Sequence, residues 1–190
     1  NGDKRQTRNS VTFSMFGKNL SFNLRDKFPI LTTKKVFWRG IVEELLWFIK
    51  GKTNSKLLED KKINIWKGNS SSEFIKSVGL GYDEGDIGPM YGFNWKHFGA
   101  EYEGCDKDYT DKGFDQLKYC MNLLENDPYS RRILMTTYDP PNADKGVLYP
   151  CHGLTVQFYI KEENDIRYLS CNMYQRSADM FLGVPFNISS

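Results

Sequence analysis

An α+β fold is predicted by three features of this chain. Two amphipathic helical segments stand far apart, near residues 40–50 and 114–125, and strand-like runs fill most of the chain beyond the second. The order never settles into the regular βαβ alternation of a doubly wound sheet.

Taken in order, Thr12 to Leu24 alternates with the period of a strand and predicts two strands with a turn at Gly17-Lys18-Asn19. From Gly40 to Lys50 the residues Ile41, Val42, Leu45, Leu46, Phe48 and Ile49 form a wide apolar helical face, and Gly51 is placed to end it. Gly- and Asp-rich stretches, Gly79 to Gly92 and Glu101 to Gly113, read as long loops, a class that often carries function. A second helix is predicted from Phe114 to Glu125, with Phe114, Leu117, Cys120, Met121 and Leu124 on one side and Asp127-Pro128 closing it. Arg132 to Tyr138 reads as a strand. Leu154 to Ile160 and Ile166 to Tyr174 read as a hairpin around the polar turn Lys161-Glu162-Glu163-Asn164-Asp165. No repeat, low-complexity tract or linker divides the chain, so residues 1–190 are expected to form a single domain.

Composition excludes some functions. Apolar residues at 39% and charged residues at 26% are ordinary for a globular domain, and a net charge of +2 gives no basic field for nucleic acid. Anion binding must then come from a few focused arginines. The four cysteines, Cys105, Cys120, Cys151 and Cys171, have no CxxC or Cys/His spacing, so no metal site is expected. Nothing resembles a signal peptide, and no apolar run approaches the roughly 20 residues that span a bilayer. Reduced thiols in a cytoplasmic setting are the expectation.

The chemistry concentrates in two clusters, Tyr149-Pro150-Cys151-His152-Gly153 and the run from Tyr174 to Asn187. A thiolate is the best side-chain nucleophile near neutral pH when a cation lowers its pKa. Cys105, Cys120 and Cys171 read as inert small hydrophobes, with Cys120 on the helix face and Cys171 inside a strand. Cys151 lies at a loop–strand boundary where a thiol can be exposed. His152, its neighbour on extended backbone, should point the other way and hold a network behind the thiol rather than act as its base; His97 reads as a satisfied polar residue. Arg131-Arg132 and Arg176-Ser177 could grip a phosphate, although paired arginines at a strand start are ordinarily solvated or salt-bridged. Glu44 sits within a strongly apolar helix, where a carboxyl is expected to titrate high. Asn187 offers a donor and an acceptor to a pyrimidine edge, or else is a turn residue.

Read in order, Phe28-Pro29-Ile30-Leu31-Thr32-Thr33-Lys34-Lys35, Glu43-Glu44-Leu45-Leu46-Trp47-Phe48-Ile49-Lys50-Gly51, Ile65-Trp66, Gly88-Pro89-Met90-Tyr91-Gly92, His97 to Tyr102, Ser130-Arg131-Arg132-Ile133, Pro150-Cys151-His152 and Tyr174 to Asn187 resemble the thymidylate synthase family. The resemblance runs over nearly the whole chain. It implies a large twisted mixed β-sheet packed with helices, one sheet face lying at a homodimer interface. It also implies reductive methylation of dUMP to dTMP with methylenetetrahydrofolate as co-substrate and no metal.

Under that resemblance Cys151 attacks carbon 6 of the uracil ring, with Glu44, Tyr91, His152 and Arg176 completing the catalytic set. Arg8, Arg176, Ser177, Asp179 and Asn187 bind the nucleotide, and Arg131 and Arg132 cross to the partner's phosphate. Trp66, Asn69, Asp179, Leu182, Gly183 and Phe186 form the folate side, with Lys34 toward the folate tail. The partners implied are dUMP, reduced folate and a second copy of the chain, with no membrane and no specific nucleic acid.

This sequence departs from the family at Arg8-Asn9-Ser10-Val11-Thr12, which replaces a Gly-rich repeat. It also departs at Lys67-Gly68 after Trp66, at Tyr149 before Pro150 and at Thr136-Thr137-Tyr138 after the arginine pair. It stops at Ser190, so the domain is expected to be incomplete at its C-terminus, without the ribose-contacting segment and closing tail of family members. Two rival readings accompany the main one: a dCMP hydroxymethylase-like enzyme, in which an Asp would stand at Asn187, and a non-catalytic nucleotide-binding remnant.

Overall fold

The apolar spacing of residues 40–50 produces a helix, α1 (Trp38–Ile49), that buries Ile41, Trp47 and Phe48. Its end is a Schellman motif. The Lys52 N–H donates to Trp47 O, the Gly51 N–H donates to Phe48 O, and Gly51 has φ +67°. Short helices come next: α2 (Lys56–Glu59), α3 (Ser72–Ser77) and α4 (Gly92–His97). The α3 start is capped by the Ser71 side chain, which accepts from the Phe74 N–H. In α4, Gly92 lies against α1 so closely that an added Cβ would fall 2.4 Å from Phe48 O. That contact admits only glycine. The longer α5 (Gln116–Asn126) begins at Asp115, whose carboxylate accepts from the Lys118 N–H at 2.9 Å.

This computed structural model describes residues 2–7 and 10–187. Its strands form two antiparallel sheets. β1 (Asp3–Gln6) pairs with β2 (Val11–Ser14), and β4 (Thr155–Glu163) lies between β3 (Leu134–Thr136) and β5 (Ile166–Tyr174). A five-residue helix, α6 (Gly183–Asn187), ends the described chain. The α+β class stands, whereas the ladders are smaller than the implied large sheet and, among the described residues, entirely antiparallel.

Two apolar centres organise the molecule. The first joins α1 to the long segments, through Trp47, Phe48, Leu58, Ile63, Trp66, Ile75, Ile87, Met90, Tyr91 and Val147. The second lies between α5 and the three-stranded sheet, with Cys120, Ile133, Met135 and Val156. Each fully buried aliphatic or aromatic side chain contributes about 1.5–3 kcal/mol, so both centres are real contributors to stability. Trp95 packs against both.

Several expectations are corrected. The first hairpin lies upstream, at residues 3–14, and no ladder forms over 20–24 among the described residues. There the Asn23 side chain accepts from the Arg25 N–H, an Asx turn that competes with extension. Phe114 lies ahead of α5, bridged to Phe98 and exposed, and on the helix Met121 is exposed while Leu117, Leu123 and Leu124 pack inward, because the buried stripe is centred on Cys120. The β4–β5 turn contains only Asn164 and Asp165, both at positive φ (52° and 62°), and Lys161–Glu163 extend the ladder. The expected loop 79–92 holds buried Ile87, Met90 and Tyr91, so it is packed core chain.

Candidate functional site

Cys151 sits on a loop that runs from the first apolar centre, at Val147, to β4, which enters the second at Val156. Four contacts fix that loop. The fully buried Thr137 hydroxyl donates to Gly153 O at 2.9 Å, and the Arg176 N–H donates to Cys151 O at 3.0 Å. The Arg176 guanidinium donates from Nε to Pro150 O at 2.6 Å and from Nη2 to Tyr149 O at 3.0 Å. A permanent cation is thereby tied to the backbone just ahead of the thiol.

The Tyr91 hydroxyl meets the same loop from the helical side. It accepts from the Cys151 N–H at 3.3 Å and lies 3.7 Å from Cys151 Sγ and 3.4 Å from His152 Nδ1. Tyr91 holds φ +36° at the start of α4, a sparsely populated conformation for a bulky residue and one that concentrates at functional sites. Its ring stacks on His152 at 4.6 Å and packs on Phe48 at 5.1 Å. Burial, then the nearby Cys151 and Glu44 charges, push its phenol well above the usual range, so it stays a neutral donor.

His152 corrects the sequence reading. Its Nδ1 lies 3.6 Å from Cys151 Sγ, so the neighbouring side chains meet instead of diverging. The backbone is bent here rather than extended, and Gly153 at φ +57° makes the turn. Burial lowers His152 to about 4, which leaves a neutral ring at pH 7. It carries no positive charge there; the permanent cation at this loop is Arg176.

Glu44 behaves as expected. Burial pushes its carboxyl from 4.5 up to about 7, partly offset by a 2.7 Å hydrogen bond from Trp66 Nε1. Trp66 in turn packs 6.2 Å from the Tyr91 ring. A carboxyl titrating near neutrality, linked through one indole to the tyrosine at the thiol, can both accept and return a proton.

The remaining candidates lie around this cluster to different degrees. Asp179 Oδ1 accepts from the Phe181 and Leu182 N–H groups at 2.9 and 2.6 Å, fixing the turn into α6 that carries Gly183, Phe186 and Asn187. Leu182 is exposed, as are Met180 and Phe181, and Lys34 lies 4.8 Å over the Phe181 ring. Together they make an apolar shelf beside a carboxylate with one oxygen to spare, which fits a flat heterocycle bearing N–H groups. Asn69 closes the turn after Trp66 through its backbone, and Ser177 is exposed. Arg131 and Arg132 are exposed before β3, and neither guanidinium has a hydrogen-bond or ion-pair partner among the described residues. Arg8 lies outside the described residues. Cys105 is pushed up to about 12 by burial and by Asp86, and burial raises Cys120, which fits their inert reading.

Sequence reasoning misses Asp86, which is 3% exposed and accepts from the Tyr102 hydroxyl and from the Gly88 and Cys105 N–H groups. It anchors the segment that ends in Tyr91. In sequence it looks like any turn aspartate between glycines; the three donors converge only in the fold. Thr137 and Gln116 are missed as well. Gln116 bridges Asn94 O and Thr136 O at 2.7 Å each, locking α4 to β3 behind the thiol loop.

Comparison with known proteins places this chain in one family. The thymidylate synthase family model matches residues 1–190. A bifunctional dihydrofolate reductase-thymidylate synthase of Zea mays is 57% identical over 94% of this chain and 34% of its own length. One of Arabidopsis thaliana is 53% identical over all of this chain and 36% of its own length. A thymidylate synthase of Human herpesvirus 8 type P (isolate GK18) is 51% identical over the whole chain and 55% of its own length. The chain thus spans between about a third and just over half of those relatives. With its match to the family model running over residues 1–190, the chain belongs to the thymidylate synthase family.

Proposed function

We propose that this chain carries the nucleotide-activating centre of a thymidylate synthase, converting dUMP to dTMP. One observation carries the reading: the Cys151 sulfur lies at a point shared by the Tyr91 hydroxyl and His152 Nδ1, on a loop clamped by the Arg176 guanidinium.

In this reading the Cys151 thiolate bonds to carbon 6 of the uracil ring, and the double-bond pair moves to carbon 5 and onto the carbon 4 oxygen. Arg176, with Ser177 and Arg8, holds the phosphate; Arg131 and Arg132 serve the phosphate of a partner copy. With no partner among the described residues, those two guanidiniums are free for an anion. Glu44 holds and returns a proton near the carbon 4 oxygen, while Tyr91 and His152 order the hydrogen bonds around the ring. Asn187 reads the uracil edge, its amide matching one donor and one acceptor.

Methylenetetrahydrofolate, when bound, supplies the one-carbon unit and the hydride. Trp66, Asn69, Asp179, Leu182, Gly183 and Phe186 would hold it, with Lys34 toward its anionic tail. Carbon 5 would bond to that one-carbon unit; loss of the carbon 5 proton would expel tetrahydrofolate and leave an exocyclic methylene on the ring, and hydride transfer from tetrahydrofolate to this methylene would expel the Cys151 sulfur, giving dTMP, dihydrofolate and the free thiolate. Homodimer formation fits the exposed apolar side chains of β4 and β5, Tyr159, Ile166, Leu169 and Tyr174. A cytoplasmic setting suits a catalytic free thiol; no helix among the described residues is long and apolar enough to cross a membrane.

The test is tritium release from carbon 5 of labelled dUMP in the presence of methylenetetrahydrofolate. Release that depends on both compounds is expected. Binding of dUMP with no release would overturn the catalytic reading.

A further inference from the structure

Two tyrosines meet at the arginine of the site. The Tyr138 and Tyr149 hydroxyls lie 3.3 Å apart, and the Arg176 guanidinium carbon lies 5.5 Å from the centre of the Tyr149 ring. Tyr149 also supplies the backbone carbonyl that receives Arg176 Nη2. It therefore holds Arg176 twice, through its carbonyl at the guanidinium edge and through its ring. The phenol pair in turn fixes the ring. Arg176 Nε is committed to Pro150 O, so two of the five N–H groups of the fork are spent on the backbone. The other three remain for an anion, in a plane that the Tyr149 ring helps to set.

We infer that Tyr149, braced by Tyr138, is a positioning residue for Arg176: it pre-orients the free edge of the guanidinium toward the nucleotide phosphate. This deepens the proposed function and rests on it for the identity of the anion, whereas the bracing itself would serve any anion. A long arginine side chain loses rotamer freedom when it clamps a phosphate, and a ring that holds it beforehand removes part of that loss. Tyr149 is about half exposed, so its ring does not fill the core, and replacing it leaves both apolar centres intact.

The experiment uses the full chain with Tyr149→Ala, Tyr149→Phe and Tyr138→Phe, and has two readouts. The first is ¹⁵N relaxation of the Arg176 Nε–H group with no ligand present. Tyr149→Ala should lower its order parameter, whereas Tyr149→Phe and Tyr138→Phe, which each remove only the phenol–phenol hydrogen bond, should lower it less and to the same extent. The second is calorimetric binding of dUMP and of deoxyuridine, which lacks the phosphate. Tyr149→Ala should weaken dUMP by about three- to tenfold, the range of a partly exposed cation–π contact, and leave deoxyuridine unchanged. An unchanged order parameter in Tyr149→Ala overturns the inference, as does an equal loss for the two ligands. Should the parent chain bind no dUMP, the proposed function fails, while the relaxation readout still decides the role of Tyr149.

Discussion

Replacing Glu44 with Gln removes a proton-binding site without removing the partner of Trp66, since an amide oxygen still accepts from the indole N–H. The carboxyl titrates near 4.5 when exposed and at about 7 in the fold, raised first by burial. Below pH 4.5 the group is protonated whether the chain is folded or unfolded, so it has no effect on pH dependence there. Between 4.5 and 7 the unfolded chain has released the proton that the folded chain keeps, and stability falls as pH rises. Above 7 the penalty is complete. At 1.36 kcal/mol per pH unit, the gap between 4.5 and 7 amounts to about 3 kcal/mol. Urea unfolding of the parent and of Glu44→Gln, at fixed protein concentration and from about pH 4 to 8, measures it directly. The variant should gain on the parent across this window, approaching about 3 kcal/mol at the alkaline end. A difference that stays constant over the whole range would refute the assignment of a buried, high-titrating carboxyl at residue 44. The same variant should lose about 10²- to 10⁴-fold in tritium release if the carboxyl moves protons in the reaction.

Cys151→Ser replaces the proposed sulfur nucleophile with a poor one, so turnover should drop by about three orders of magnitude or more while dUMP binding persists; substantial residual turnover would remove Cys151 from the proposed role. Arg131→Ala and Cys151→Ser chains, each inactive alone, should partly restore activity when mixed if the phosphate site is shared between copies, and a mixture as inactive as its components argues against sharing. Asn187→Asp exchanges an amide for a carboxylate suited to the cytosine amino group. Its preference should move from dUMP toward dCMP in a comparison of kcat/KM, and an unchanged ratio would contradict the edge-reading role.

Local periodicity makes much of the scaffold readable. The α1 helix, its Gly51 ending and the β4–β5 pairing depend on short-range spacing and form close to where the pattern places them, although Leu46 and Ile49 of the expected stripe are exposed while Trp47 is buried. The second strand over 20–24 does not form, because an alternating pattern describes a half-buried strand only when a neighbour supplies the ladder. At the site, Cys151, Glu44 and Arg176 stand out because each is a chemically expensive residue in an unusual sequence setting. The thiol–imidazole contact escapes such reading, since one glycine at positive φ turns a chain that the sequence presents as extended. Asp86 and Gln116 are invisible because their importance lies in partners 2 to 22 residues away, which only tertiary packing assembles.

The loop bearing the sulfur is strung between two separately packed bodies, one contributing Tyr91, Trp66 and Glu44 and the other continuing into the sheet that leads to Arg176. A nucleotide touching both groups would act as a rivet across that join. Occupancy should then raise the melting temperature and slow the partial opening of the join, so a thermal-shift screen can report ligands that never react. Substitutions at Trp95, which bridges the two bodies, should loosen the join and blunt that response without touching any group that takes part in bond making.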